Sequence, residues 1–264
     1  MSTPQLLPPE QAAGDLWAYT SGISGPARQR FVLLHGFTQT ARSWYSLATR
    51  LSSAGEVVVF DMPGHGRSSE ISADLRETAA LVVAAGPAIY IGYSMGARVA
   101  LHIAIHYPEA VQALVLIGGT PGIVDADERR KRREADESLA DDIARLGVGS
   151  FLDTWLSGPL FRNLRPDSDD IAGRLTNTVA GLSMSLRRAG TGTQEPLWSM
   201  LETIQTPSLV VAGSDDAKFC EIGSQTATAI GPNAKFLVVA GAGHAAHLEQ
   251  PEAFEALLER ELRI

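Results

Sequence analysis

The chain has 264 residues, of which 45% are hydrophobic and 20% charged, with a formal net charge of −8. This composition predicts a globular chain with a large core, and it disfavours general binding to nucleic acids or anionic membranes. A single cysteine, Cys220, excludes an intramolecular disulfide, and the N-terminus lacks the basic and apolar regions of a secretory signal, so we expect a cytoplasmic protein with no membrane-spanning segment.

Six short apolar runs recur along the chain, and segments with helical spacing, such as SWYSLATRLSSAG and PEAFEALLERELRI, lie between them. The runs are rich in Val, Ile and Leu and do not alternate with polar residues, which is typical of parallel strands buried on both faces. The βαβα order predicts an α/β fold with a mostly parallel central sheet and helices on both faces. The runs begin at Phe31, Glu56, Ala88, Ala113, Pro207 and Lys235.

The alternation stops between residues 121 and 200, where the pattern is charged and helical and includes DADERRKRREADESLADDIARL. Strand-like runs resume at Pro207, which favours an insertion over an independent second domain. We therefore predict a core of residues 1–120 and 201–264 and a helical cap of residues 121–200. The cap would cover the carboxyl ends of the strands, where open α/β sheets bind ligands.

The pentapeptide GYSMG, residues 92–96, lies between a predicted strand and a predicted helix. G-x-S-x-G in this context is the nucleophile-elbow pattern, in which small neighbours let the serine project from a tight turn. Ser94 is therefore the candidate reactive serine. The backbone N–H groups of Met95, at the start of the helix, and of Phe37, after the strand FVLLHG, are the candidate oxyanion hole.

A reactive serine needs a histidine and an acid that orients it, and elbow folds carry them in the chain order serine, acid, histidine. Asp215 and Asp216 follow the predicted strand PSLVVAG, and His244 follows KFLVVAGAG. We favour Asp216, which lies three residues after Gly213, and keep Asp215 as the alternative. We favour His244 over His247 as the base.

The other histidines receive structural interpretations. His65 belongs to DMPGHGRS, a glycine-rich loop that we expect to hold a strand and a helix together. His102 and His106 have a spacing that zinc sites use, but no third ligand is placed with them. We predict no metal and no organic cofactor.

The motifs HGF, DMPGHGRS, GYSMG, GSDD and GAGH, in this order, resemble the α/β-hydrolase superfamily over essentially the whole chain. That superfamily includes esterases, carbon–carbon hydrolases, haloperoxidases, dehalogenases and lyases, so the resemblance implies the fold without fixing the reaction.

A narrower resemblance lies in GGTPGIVDADERRKRREAD, FLDTWLSGPLFRNL and DDAKF, which are similar to the 2-succinyl-6-hydroxy-2,4-cyclohexadiene-1-carboxylate synthases. These menaquinone-pathway enzymes eliminate pyruvate from a cyclohexene that carries carboxylates. The resemblance implies arginines that hold the carboxylates, beside an active-site tyrosine and tryptophan. One departure is Leu156, at a position where a relative carries tyrosine. The matching positions here are Tyr93, Arg98, Arg132, Trp155 and Arg174.

The run ERRKRRE, residues 128–134, places five cations on one predicted helix. Ion pairs with neighbouring acids explain most of them, and a helix can aim only one or two of five consecutive residues at a pocket. We favour Arg132, which is the arginine at the position that the resemblance to the synthases implies, and whose planar guanidinium suits a carboxylate.

Three functions follow as hypotheses. In a lyase, Ser94 would take a proton from a ring carbon and pyruvate would leave. In a serine hydrolase of an ester, a thioester or a carbon–carbon bond, Ser94 would be acylated. A non-catalytic binding module is disfavoured by the complete serine–acid–histidine set. The cationic cap favours the lyase, with a small anionic molecule as substrate, and we expect a monomer or a small homo-oligomer.

Overall fold

The structure is a computed structural model and describes residues 10–11, 16–21 and 29–264. Most of the N-terminal segment that was compared with a secretory signal lies outside the described residues. The strands are β1 (Glu10–Gln11), β2 (Trp17–Ser21), β3 (Gln29–Leu34), β4 (Gly55–Phe60), β5 (Ala88–Tyr93), β6 (Val111–Ile117), β7 (Ser208–Gly213) and β8 (Ala234–Val239). The helices are α1 (Tyr45–Leu51), α2 (Leu75–Val82), α3 (Met95–His106), α4 (Ala126–Leu156), α5 (Ser168–Arg174), α6 (Val179–Ala189), α7 (Ala217–Ile230), α8 (Ala246–Glu249) and α9 (Pro251–Leu262). Short 3₁₀ helices span Ala41–Trp44, Gly66–Ser68, Val83–Ala85, Pro108–Ala110, Pro159–Phe161 and Trp198–Thr203.

The strands of the described chain form one sheet in the order β1-β2-β4-β3-β5-β6-β7-β8. β2 pairs antiparallel with β1 and β4, and every other pair of neighbours is parallel. The predicted α/β fold with a mostly parallel sheet is confirmed, and the six predicted strands are β3 to β8. The antiparallel strand β2 was not predicted, because its sequence WAYTS is only partly buried and contains no continuous apolar run.

Both faces of the sheet are covered, as predicted. Val32 and Leu34 of β3 belong to one core with residues of α2 and α3, whereas Phe31 and Leu33 belong to the opposite core with residues of α1 and α9. Successive residues of a strand point to opposite faces, so two cores require strands that are apolar throughout.

The chain between β6 and β7 is helical. α4 breaks at Gly147, where φ is 74°, and its first part packs on α6 around a core that includes Ile143 and Leu182. The capping residue of α4 is Asp125, whose carboxylate accepts the N–H groups of Asp127 and Glu128. In the part of the chain that the structure describes, no helix is long and apolar enough to cross a membrane.

Parallel strands bring their carboxyl ends to one edge of the sheet. The segments that leave β3, β5, β7 and β8 there carry Phe37, Ser94, Asp216 and His244 respectively. Open α/β sheets bind their ligands at this edge, so these four residues form a candidate site.

Candidate active site

Ser94 occupies a strained turn between β5 and α3. Its φ and ψ are 51° and −105°, a region that residues other than glycine rarely adopt. A Cβ at Gly92 would overlap the backbone of Gly96, and a Cβ at Gly96 would overlap the carbonyl of Leu34. The two glycines are therefore what lets strand and helix approach closely enough to form the elbow.

The structure brings Ser94, His244 and Asp216 into one hydrogen-bonded chain. His244 Nε2 lies 3.2 Å from Ser94 Oγ, and His244 Nδ1 lies 2.9 Å from Asp216 Oδ2. The other Asp216 oxygen accepts the N–H of Phe219 at the start of α7, which orients the carboxylate. With Nδ1–H donating to Asp216, Nε2 is free to accept the serine proton.

The alternative acid, Asp215, does not reach His244. Its side chain is exposed and accepts a hydrogen bond from Asn163 Nδ2 at 2.9 Å. Residues 215 and 216 are adjacent, so the turn after β7 can direct only one of them toward the histidine, and that residue is Asp216.

His247 has a different environment from His244. Its ring is buried between Trp44 and Tyr93, with centroid distances of 4.4 and 4.6 Å. Burial lowers the pKa of His247 to about 3, so the imidazole stays neutral at ordinary pH. Burial also raises the pKa of the Tyr93 phenol, whose ring lies 5.4 Å from that of His244. His247 is thus a packing residue behind Tyr93.

Two buried histidines hold the segment that contains Phe37. His35 Nε2 accepts the N–H of Met62 at 3.0 Å, and His65 Nε2 accepts the N–H of Thr38 at 3.2 Å. Thr38 has a φ of 68°, and burial lowers the pKa of His65 to about 4, which keeps its ring neutral and able to accept. His65 therefore joins the segment after β4 to the segment after β3, as expected of a structural residue.

A cavity of about 150 Å³ opens beside Ser94 and His244. Nine of the ten predicted site residues line it, and Asp216 stands behind His244. The nine come from both the sheet edge and the helical segment between β6 and β7. They are Phe37, Tyr93, Ser94, Met95, Arg98, Arg132, Trp155, Arg174 and His244.

The arginines of the cavity wall differ in their partners. Arg132 Nε donates to Asp136 at 2.8 Å, and Arg174 Nε donates to Asp170 at 2.7 Å. Arg98 instead donates to the Ala189 carbonyl at 2.7 Å, and no carboxylate of the described residues forms a hydrogen bond or ion pair with it. Burial, followed by the charge of Arg132, lowers the pKa of Arg98 to about 10, and the charge of Asp136 offsets part of this lowering.

The basic run on α4 presents a single side chain to the cavity. Arg132 lines it, whereas Arg130 forms ion pairs with Asp127 and Glu134 at the surface. Arg133 donates to the carbonyl of Gly192. Ion pairs thus account for two of the five cations, Arg130 and Arg132, and not for most of them as predicted, because Arg129 and Arg133 donate to backbone carbonyls instead.

Several cavity residues were not identified from the sequence. Lys218 is an exposed cation in the first turn of α7, and its ammonium lies 5.7 Å from the Phe219 ring centroid. Its position two residues after Asp216 was the one available signal, because that turn must lie at the same sheet edge. Phe161 and Ser185 come from the helical segment, where the sequence alone does not show which residues face inward.

Aromatic rings enclose the side of the cavity near Phe37. The Phe37 and Trp155 rings lie 5.6 Å apart, and the Trp155 and Phe161 rings lie 5.5 Å apart. Leu156, the departure from the synthase pattern, packs partly buried against the core beneath. Apolar rings beside a cluster of cations suit a ligand with a hydrocarbon ring and attached carboxylates.

The described residues contain no group of three or more His, Cys, Asp or Glu side chains arranged to hold a metal ion. His102 and His106 stack at 5.7 Å, and burial lowers the pKa of His102 to about 4.

Known proteins that share this sequence pattern and fold identify the family of the chain. The sequence pattern of the alpha/beta hydrolase family matches residues 31–257, and the chain belongs to that family. A Bacillus subtilis protein provisionally named as a 2-succinyl-6-hydroxy-2,4-cyclohexadiene-1-carboxylate synthase is 37% identical, over 89% of this chain and 91% of its own length. A synthase of the same name from Serratia proteamaculans is 31% identical, over 88% of this chain and 92% of its own. The solved structure of MenH from S. aureus superposes with a TM-score of 0.86 at 28% identity, covering 93% of this chain and 97% of that one.

Proposed function

We propose that this chain is a carbon–oxygen lyase of the 2-succinyl-6-hydroxy-2,4-cyclohexadiene-1-carboxylate synthase type, which eliminates pyruvate in menaquinone biosynthesis. The observation that carries the proposal is Arg98, a buried cation in the cavity wall without a carboxylate partner among the described residues. A buried charge of this kind is costly unless a ligand compensates it, and a substrate carboxylate does so. The relatives that carry the synthase name support the same reaction.

The substrate charge also fits the cavity. The reaction product carries one carboxylate on the ring and one on the succinyl chain, and the pyruvate that leaves carries a third. Arg98, Arg132, Arg174 and Lys218 line the cavity, so positive charge is available on several sides of such a substrate. A simple apolar ester would offer no carboxylate to Arg98, which donates only to neutral oxygens, or to the exposed ammonium of Lys218.

In the proposed mechanism, Ser94 acts as a base. Asp216 holds the His244 ring with Nε2 toward the serine, so His244 takes the hydroxyl proton while Ser94 Oγ takes a proton from the ring carbon. The N–H groups of Phe37 and Met95 stabilise the enolate that develops. The enolate then expels the leaving group by breaking the carbon–oxygen bond to the ring. The group leaves as the enolate of pyruvate and takes the proton held by His244 to become pyruvate, so His244 is neutral again and Ser94 keeps the proton from the ring carbon. No acyl-enzyme and no cofactor take part.

The test is pyruvate release from the enolpyruvyl precursor, followed with lactate dehydrogenase and NADH. We expect release by the wild-type protein, a loss of at least about 1,000-fold in Ser94→Ala, and no loss in Ser46→Ala, an exposed serine on α1. Absence of release by the wild type would reject the lyase. If the same protein reacted with a fluorophosphonate at Ser94 and gave a burst with p-nitrophenyl esters, the serine hydrolase would replace it.

The remaining assignments are proposals of the same kind. A cytoplasmic location is supported by the single cysteine. A division into a core of residues 1–120 and 201–264 and a cap of residues 121–200 is supported by the run of helices between β6 and β7. We propose a monomer or small homo-oligomer whose partner is the small anionic substrate and neither a nucleic acid nor a membrane, in keeping with the net charge of −8.

A further inference from the structure

The segment that carries His244 is held by a second carboxylate, that of Glu249. Glu249 is the last residue of α8, five positions after the histidine. Its Oε2 accepts the N–H of Gly243 at 2.5 Å, and its Oε1 accepts the N–H of Ala245 at 3.0 Å. One carboxylate therefore binds the peptide N–H groups on both sides of His244.

This pair of hydrogen bonds supplements two that hold the start of the segment, in which the Gly241 N–H donates to Ser214 Oγ and the Ala242 carbonyl accepts the N–H of Asp215. β8 ends at Val239 and α8 begins at Ala246, and Gly241 between them has a φ of 70°. Hydrogen bonds to an ionised carboxylate are about twice as strong as neutral ones. They fix the backbone on both sides of His244, whereas Asp216 fixes the orientation of the ring at Nδ1.

The sequence leaves room for the carboxylate. A Cβ at Gly243 would lie 2.9 Å from Glu249 Oε2, which is closer than a Cβ approaches any atom in practice. The φ of Gly243 is not positive, so the backbone conformation does not require glycine at this position. An alanine there would therefore act by pushing against the Glu249 carboxylate. Glu249 itself does not line the cavity, so it has no contact with a ligand there.

We propose that Glu249 is a positioning residue that sets the distance between His244 Nε2 and Ser94 Oγ by holding both neighbouring peptide groups. The proposal rests on the role of His244 as the base in the proposed function. Because Glu249 acts through His244 and not on the substrate, its loss lowers kcat and leaves KM unchanged. A displacement of about 1 Å in a reacting group costs up to about 100-fold in rate.

Three variants test this in the full-length protein. Glu249→Gln keeps one acceptor and turns an N–H donor toward the other peptide group, Glu249→Ala removes both acceptors, and Gly243→Ala displaces the carboxylate without changing charge. Glu252→Gln, at an exposed position in the first turn of α9, is the matched control. The measurements are kcat and KM for pyruvate release, the rate at which a fluorophosphonate labels Ser94, and the melting temperature. Each kcat is referred to the concentration of Ser94 that can be labelled.

We expect kcat to fall about 10-fold in Glu249→Gln and Gly243→Ala and about 100-fold in Glu249→Ala, with KM within twofold of wild type and labelling slowed in parallel. Glu252→Gln should match the wild type. A kcat within twofold of wild type in Glu249→Gln and Gly243→Ala, or a rise in KM at constant kcat, would overturn the proposal even if Glu249→Ala failed to fold. If the wild type released no pyruvate, the lyase would fail, and the labelling rates would still decide the role of Glu249.

Discussion

Replacing Arg98 with methionine separates the charge of the cavity wall from its packing. Burial, followed by the charge of Arg132, lowers the pKa of the Arg98 guanidinium from 12.5 to about 10, which corresponds to a net cost of about 3 kcal/mol for holding the charge at this position. Methionine removes that cost, but it leaves the Ala189 carbonyl without the N–H that it accepts from Arg98, at about 1–3 kcal/mol. The melting temperature should therefore be unchanged or raised by up to about 6 °C.

The same substitution, Arg98→Met, should lower the activity. A charge-assisted hydrogen bond to a substrate carboxylate contributes about 1.5–3 kcal/mol, so Arg98→Met should lower kcat/KM for pyruvate release by about 10- to 100-fold. The measurements are initial rates over a range of substrate concentrations and thermal unfolding of the same preparation. Arg30→Met is the control for activity, because Arg30 also donates to a backbone carbonyl, that of Ala85, and pairs with Glu56, but does not line the cavity.

Two results would refute this reasoning. A kcat/KM within threefold of wild type would mean that Arg98 does not bind the substrate. A melting temperature lowered by more than about 6 °C would mean that the buried guanidinium stabilises the fold more than its burial costs.

Two further predictions concern the rim of the cavity and the buried histidines. Lys218→Gln should raise KM about 3- to 10-fold at low ionic strength and leave kcat unchanged, because Lys218 lines the cavity. Lys235 pairs with Glu261 and does not line the cavity, so Lys235→Gln should leave KM unchanged. Equal effects of the two substitutions would contradict a role of Lys218 in binding the substrate. Acid should destabilise the fold, because His65, His102 and His247 have folded pKa values of about 4, 4 and 3, below the 6.5 of the unfolded chain. As the pH falls below about 6.5 the unfolded chain binds protons that the folded chain does not, so the free energy of unfolding should drop by about 2 kcal/mol per histidine between pH 7 and pH 5. Urea unfolding at pH 7 and at pH 5 measures this drop in the free energy of unfolding. Equal stability at both pH values would show that these rings are not buried and neutral.

Much of the fold was predictable because its signals are local. A parallel strand covered on both faces needs an unbroken apolar run, so β3 to β8 could be identified one at a time. The carboxyl ends of parallel strands lie at the same edge of the sheet, independently of how the helices pack. We therefore expect three residues that each follow such a strand, the elbow serine, an acid and a histidine, to lie close together. Ser94, Asp216 and His244 satisfy that condition. β2 carries no such signal and depends on its pairing with β4.

Local residue patterns were thus enough to predict the parallel sheet, the order of its strands along the chain and the candidate catalytic residues at the carboxyl ends of those strands. The resemblance to the synthases pointed to Arg132, but residue types alone do not distinguish Arg132, which lines the cavity, from Arg130, which is exposed, because the packing of α4 on α6 sets the rotation of that helix. The same holds for Glu249, whose partners Gly243 and Ala245 are peptide groups without any side-chain signature. Contacts of this kind depend on how a turn closes in space, and a pattern of residue types does not contain that information.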